Sequence, residues 1–519
     1  VGKSVKIGHQ PLSLQNAEAV VYQNIKAEIE PGARRRVAEA AEYIARQAQI
    51  GRPVYGVTTG FGANRDTPIS PSDAEELQYN LIISHACGVG EPFSEEVVRA
   101  ILLFRVNALA YGYSGIRDTT LDVLLGMLNR GVLPVIPEFG SLGASGDLCP
   151  LAHMSLPLIG LGEAIYQGER LPGAEAMERA GLKTLQLTFK EGLALLNGTQ
   201  VMTALGMVAV RRFRRLLNVA DGVAALSLEA VAGRSGAFDP RVQRVRGRLG
   251  QAVSAANVLS LIEGSELVDS TREEIPEKKD EVQDAYCIRC VPQVHGACRD
   301  VLAHVSAVIE TEINAVTDNP IVFVDDDDIV SGGNFHGEPV AMALDYLKLA
   351  ISELANISER RSAKLVDKSR NEGLSAFLAC RPGLNSGYMI PHYVAAALVS
   401  ECKNLTNPSS ADSIPTSANM EDHVSMGAHA GRHALMMMGY GEQVLGIELL
   451  IASQAIDLRK PRRPGSGVRE IVGLLREKVS FMESDRLMYP ELEEALSVVC
   501  SEEMCALLGT LMPEHAGTE

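Results

Sequence analysis

The chain has 519 residues, 46% of them hydrophobic and 22% charged, with a formal net charge of −17. That length exceeds what one compact core usually fills, so two or three structural regions are expected, and the negative balance argues against nucleic acid or an anionic membrane as the main partner. Aromatic residues make up only 5% and tryptophan is absent, so the core must come from Ala, Leu, Val, Ile and Met, which favours helix packed on helix.

The polar start, Val1 to Lys6, lacks the apolar segment of a signal peptide. An entry strand and a helix from about Pro31 to Ala48 are predicted next, followed by the loop Val54 to Gly62, built of Gly, Thr and aromatic residues. Ser94 is placed as the N-cap of a helix whose Val97, Ile101, Phe104 and Ala108 share one face. That helix ends at Gly112. Val132 to Pro137 is extended and leads into Gly140-Ser141-Leu142-Gly143-Ala144-Ser145-Gly146-Asp147-Leu148.

From about Val201 the pattern is overwhelmingly helical. Helical stretches are predicted over roughly Val201–Val231, on a face carrying Val301, Val305, Val308, Ile309 and Ile313, and from Pro339 to beyond Lys368 as a rod on the order of 40 Å. Rods of that length need neighbours to bury their stripes, so a bundle follows. A hairpin pairing Ile321–Val324 with Ile329–Val330 is expected across Asp325–Asp328, whose carboxylates read as a solvated tip. The apolar stretch Ala434–Ile456, interrupted by Glu442, Gln443 and Glu448, reads as a buried helix. Nine irregularly spaced cysteines suggest reduced thiols and a cytoplasmic location. Cys287-Ile-Arg-Cys290 has metal or redox spacing without a second pair, and no metal site is expected.

The chemistry of greatest interest lies at Ala144-Ser145-Gly146. The Gly146 amide can attack the Ala144 carbonyl, with nothing on Gly146 in the way. Loss of water from that ring and from the Ser145 hydroxyl leaves an imidazolone bearing an exocyclic methylene, an electrophile that no coded side chain supplies. On the tripeptide alone, a glycine-rich turn remains the plainer reading. Four more clusters combine reactive side chains with loop-forming residues: Asn80–Gly88 with His85, Gln283–Gln293 with Tyr286 and Arg289, Gly332–Pro339 with Phe335, and Ser409–Gly427 with Glu421. An arginine clamps a carboxylate in two places, and a tyrosine can move a proton. Each cluster alone is equally compatible with a solvated surface or a structural histidine.

Together, and in this order, the clusters resemble the aromatic amino acid ammonia-lyases and aminomutases over most of the chain. The resemblance implies a mainly α long-helix bundle of the aspartase/fumarase-like superfamily. It places an N-terminal region carrying the tyrosine loop and the glycine-rich loop at residues 1–200, with the central bundle and C-terminal helices at 201–519. It also implies a 4-methylidene-imidazol-5-one (MIO) group formed autocatalytically from Ala144, Ser145 and Gly146, and a homotetramer with shared sites acting on a small amino acid. Tyr55 and Tyr286 would serve the chemistry, Arg289 the substrate carboxylate and Asn197 the polar shell, with Gln283 and Phe335 lining the pocket. His85 and Glu421 would face the substrate side chain. An imidazole offers a buried carboxylate a hydrogen bond, whereas a phenyl ring would leave Glu421 unpaired at a cost. Ser84-His85, Gly337-Glu338 and Glu421 are similar to members that act on histidine, which implies non-oxidative deamination of L-histidine to trans-urocanate and ammonia. A lyase or 2,3-aminomutase acting on tyrosine or phenylalanine is the alternative. Thr58, Leu142, Cys149 and Met420 depart from the usual residues of the histidine-acting branch.

Overall fold

The computed structural model describes residues 4–50, 53–70, 72–276 and 282–513, so the first three residues of the polar start lie outside the described residues. The chain divides into two compact units. The first comprises residues 1–208, 306–345 and 408–432, and the second 209–305, 346–407 and 433–519. This differs from a division at 200/201. Helix Gln200–Ala230 is continuous across that position, and two later segments pack with the N-terminal residues, because packing follows contact rather than chain order.

All the strands among the described residues belong to the first unit, and all are short. Ser4–Ile7 pairs in parallel with Lys26–Ile29, with an unpredicted helix, Leu14–Tyr22, between them. Helix Pro31–Gln49 follows with Pro31 in its first turn, where the missing N–H costs nothing. Val89–Pro92 pairs with Pro137–Phe139, and Leu133–Pro134, Glu163–Tyr166 and Glu169–Pro172 form a three-stranded sheet. The acidic hairpin forms with its four-residue turn one position earlier than expected: Asp328 pairs with Phe323, and Asp327 takes the left-handed conformation, φ +52°, that closes the turn.

Helix Glu95–Ala110 starts after Ser94, although the Ser94 side chain makes no capping bond. Every residue from Val97 to Ala110 is buried, not one face alone. This is possible because its buried polar side chains donate to internal carbonyls. Arg99 donates to the Val20 and Val21 carbonyls at 2.9 and 3.0 Å, and Asn107 to the Ile313 carbonyl at 3.0 Å.

Among its described residues the second unit has helices and no strands. Its long segments come from the helices Gln200–Ala230, Val291–Ile313, Glu338–Val366 and Gly427–Leu458. The last is long and apolar enough to cross a membrane, but two thirds (67%) of its most apolar stretch is buried inside the protein, as a core helix requires. Glu448 on that helix is fully buried and accepts from Arg361 at 2.8 Å and from Ser358 at 2.6 Å. A buried carboxylate with so full a set of donors avoids the large cost of an unpaired charge.

Candidate active site

The glycine-rich loop is held by the residue that follows the tripeptide. Asp147 is fully buried. Its Oδ1 accepts from Ser141 Oγ at 2.7 Å, and its Oδ2 from the backbone N–H groups of Val201 and Met202 at 3.0 Å each. Burial pushes this carboxyl up to about 6, against those three hydrogen bonds. The Asp147 N–H in turn donates to the Gly198 carbonyl at 2.7 Å. Gly146 runs alongside Gly198 with φ +76°, and a Cβ there would lie 2.2 Å from the Gly198 oxygen. Only glycine fits, by conformation and by space.

Asn197 is placed by a buried arginine from the helix Glu95–Ala110. Arg105 Nη1 donates to the Asn197 carbonyl at 2.9 Å and to Gln200 Oε1 at 2.7 Å, while Nη2 binds the Ala194 carbonyl. The Asn197 side chain then donates from Nδ2 to the Ser145 carbonyl at 2.7 Å. From the other side, Ser145 Oγ donates to Glu421 Oε1 at 2.6 Å.

Glu421 sits at the end of a tight loop closed by two backbone bonds with Thr416, and its Oε2 accepts from Thr416 Oγ1 at 3.2 Å. Ser417, Ala418 and Asn419 within that loop all have positive φ. Three successive left-handed residues with side chains store strain on the order of 1–3 kcal/mol each. Such strain gathers where a side chain must be aimed.

His85 ends the helix Ala74–His85, with Ser84 Oγ 3.0 Å from its Nδ1. Burial lowers its pKa below the ordinary 6.5, against the Leu81 carbonyl and the Glu421 charge, which raise it. On the same helix, fully buried Gln78 donates to the Gly56 carbonyl at 3.1 Å and accepts from the Leu193 N–H at 3.2 Å. One amide thereby joins the tyrosine loop to the helix Glu191–Leu196 that leads into Asn197. Tyr55 packs edge-on against Phe61, with ring centroids 6.1 Å apart, and its hydroxyl accepts from the Gly62 N–H at 3.2 Å.

A cavity of about 1000 Å³ in the first unit is lined by Tyr55, His85, Ala144, Ser145, Asn197, Phe335 and Glu421, among others. Seven residues singled out in the sequence thus converge on it. Gln283, Tyr286 and Arg289 do not line it and belong to the second unit. There Tyr286 is 70% exposed and the Arg289 guanidinium lies 4.5 Å from its ring centroid. A smaller cleft of about 430 Å³ in the second unit contains none of the candidate residues. Asp147, Arg105 and Gln78 are the positioning residues that sequence reasoning missed.

The residues present suit an MIO group. The loop leaves no room for a side chain at position 146, the Ser145 hydroxyl that must leave contacts a carboxylate, and the Ser145 carbonyl is fixed by an amide.

A cavity lined by Ala144 and Ser145 of such a tripeptide, set in a mainly helical chain, defines a class, and comparison with known proteins agrees. Residues 12–477 match the family described as aromatic amino acid lyase, and the chain belongs to that family. It is 52% identical over 500 residues to histidine ammonia-lyase of Caldanaerobacter subterraneus subsp. tengcongensis, covering 96% of this chain and 97% of that one. Among solved structures it is similar to histidine ammonia-lyase from Trypanosoma cruzi (TM-score 0.89, 39% identity, 98% and 96% covered). It is also similar to tyrosine aminomutase from Streptomyces globisporus (TM-score 0.93, 33% identity, 99% of both).

Proposed function

We propose that this chain is a carbon–nitrogen lyase that deaminates L-histidine to trans-urocanate and ammonia, and that it works as a soluble cytoplasmic homotetramer. The observation that carries the choice of substrate is Glu421, a carboxylate lining the cavity together with His85. The relative that is 52% identical is a histidine ammonia-lyase, whereas the aminomutase is 33% identical. An imidazole N–H gives Glu421 a donor, and an apolar ring would desolvate it without return.

The MIO group formed from Ala144, Ser145 and Gly146 supplies the electrophile that turns the substrate amine into a leaving group. Asn197 holds the peptide at Ser145 and keeps an amide beside the amine. Tyr55, with Glu421 as the second candidate, takes the β-proton at its oxygen. Phe335 covers the apolar side of the ring and excludes water. Tyr286 and Arg289 serve the carboxylate end, Gln283 lines the pocket, and a neighbouring subunit supplies all three.

Incubation with L-histidine, L-tyrosine and L-phenylalanine in turn tests the proposal, following urocanate, coumarate and cinnamate by absorbance and β-amino acids by chromatography. Urocanate from histidine alone is expected. Coumarate, cinnamate or a β-amino acid as the main product would mean that Glu421 does not select imidazole. Ser145→Ala is expected to lose activity together with the near-ultraviolet MIO absorbance, which stands out in a chain with no tryptophan.

A further inference from the structure

On the cavity wall, two loops bring together side chains that the proposed reaction leaves without a task. His336 Nε2 lies 3.3 Å from His423 Nδ1, with the two ring centroids 5.4 Å apart and tilted by 35°. Glu338 completes the group, and one ligand atom from each of the three residues lies within 4.8 Å of the others. Glu338 Oε2 is buried and accepts no hydrogen bond. An orphaned buried carboxylate oxygen is costly and calls for a partner. Both histidines line the cavity.

The local backbone explains why these side chains meet. Gly337, between His336 and Glu338, is buried against Met202, where a Cβ would come within 2.2 Å of Sδ. Gly427, four residues after His423, is pressed on the same sulfur, with a Cβ-to-Sδ distance of 2.4 Å. Both loops are thus seated on one side chain.

We propose that His336, His423 and Glu338 form a site for a divalent transition cation of the zinc class, contrary to the expectation of no metal. Two imidazole nitrogens held about 2.0–2.1 Å from a tetrahedral ion stand about 3.3–3.4 Å apart, which matches the observed nitrogen separation. Two neutral imidazoles and one carboxylate are a donor set for zinc, manganese, cobalt or iron rather than for calcium or magnesium. The ion gives Glu338 Oε2 its missing partner, and its remaining coordination positions are reachable from the cavity. The competing arrangement is a simple hydrogen bond between the two rings, with His336 Nε2 shared between His423 Nδ1 and the His423 carbonyl, also at 3.3 Å. The site does not rest on the proposed reaction, since its occupancy is read without turnover.

Calorimetric titration of chelator-treated full-length protein with zinc chloride is the test, in the unaltered chain and in His336→Gln, His423→Gln and Glu338→Gln. One ion per chain is expected, with affinity at least about tenfold weaker in each variant. No binding, or equal binding in all three variants, would leave only the hydrogen bond and overturn the site. Nine cysteines offer competing thiols, so X-ray absorption on the unaltered zinc-loaded protein supplies a second readout that needs no variant to fold. A nitrogen and oxygen shell at about 2.0–2.1 Å with imidazole scattering supports the site. A sulfur shell at about 2.3 Å places the ion on thiols and refutes it.

Discussion

Before the MIO group forms, Glu421 accepts from Ser145 Oγ and Thr416 Oγ1; once the Ser145 hydroxyl has left, Thr416 and its strained loop still aim the carboxylate. Glu421→Gln keeps the shape but removes the charge that strengthens a hydrogen bond to an imidazole. A charge-assisted bond contributes about 1.5–3 kcal/mol, so kcat/KM for histidine should fall roughly 10–100-fold. An unchanged value would remove Glu421 from substrate reading. His85 makes a separate prediction in pH. Its native pKa lies below the ordinary 6.5 because burial disfavours the cation, so the unfolded chain binds more protons there than the native one does. Its contribution to stability is therefore fully present above pH 6.5 and is lost as pH falls through the native value. Denaturant melts of the unaltered protein and His85→Gln should give a stability difference that is flat above pH 6.5 and shrinks below it.

The elements of the first unit are joined by a few polar side chains rather than by continuous sheet. Gln78 is the clearest case, because its two hydrogen bonds tie the tyrosine loop to the helix before Asn197. Gln78→Leu leaves both backbone groups unpaired in the interior, at about 1–3 kcal/mol each, and a matching drop in unfolding free energy is expected. Activity should fall further than stability alone explains, since Tyr55 and Asn197 lose their common reference. None of this was legible beforehand, since Gln78 looks like any polar residue on a helix until Leu193, 115 residues away, is folded against it. Arg105 did leave a trace. It follows Phe104 in an almost wholly apolar run, beside the face assigned to the core, and a guanidinium there signals a buried clamp. The tripeptide, Asn197, His85 and Glu421 could be read because reactive side chains among glycines are scarce. The helix Pro31–Gln49 was legible because its start and apolar spacing agree. The positive-φ loop at Ser417–Asn419 was hidden, since nothing in Ser-Ala-Asn demands that backbone.

At the scale of the whole molecule, the candidate residues split between the two units. Those of the cavity lie in the first, whereas Gln283, Tyr286 and Arg289 lie in the second. If a neighbouring subunit supplies the second set, Glu421→Gln and Arg289→Ala chains, each impaired alone, should complement one another when co-assembled. Random mixing in equal amounts would restore about a quarter of the sites. No recovery in verified mixed tetramers would mean that each chain completes its own site.

Met202 gives this architecture a further property. Gly143 of the tripeptide loop approaches its methyl group, and Gly337 and Gly427 press on its sulfur, so three loops far apart in the chain bear on one thioether. An unbranched thioether absorbs small shifts, but Met202 is fully buried and hemmed in by all three loops, so a displacement beyond that slack bears on the others. Inheritance at these positions should therefore be collective. A larger residue at 143, 337 or 427 is an event for all three loops, and lineages drifting toward another substrate would have to move them as a set.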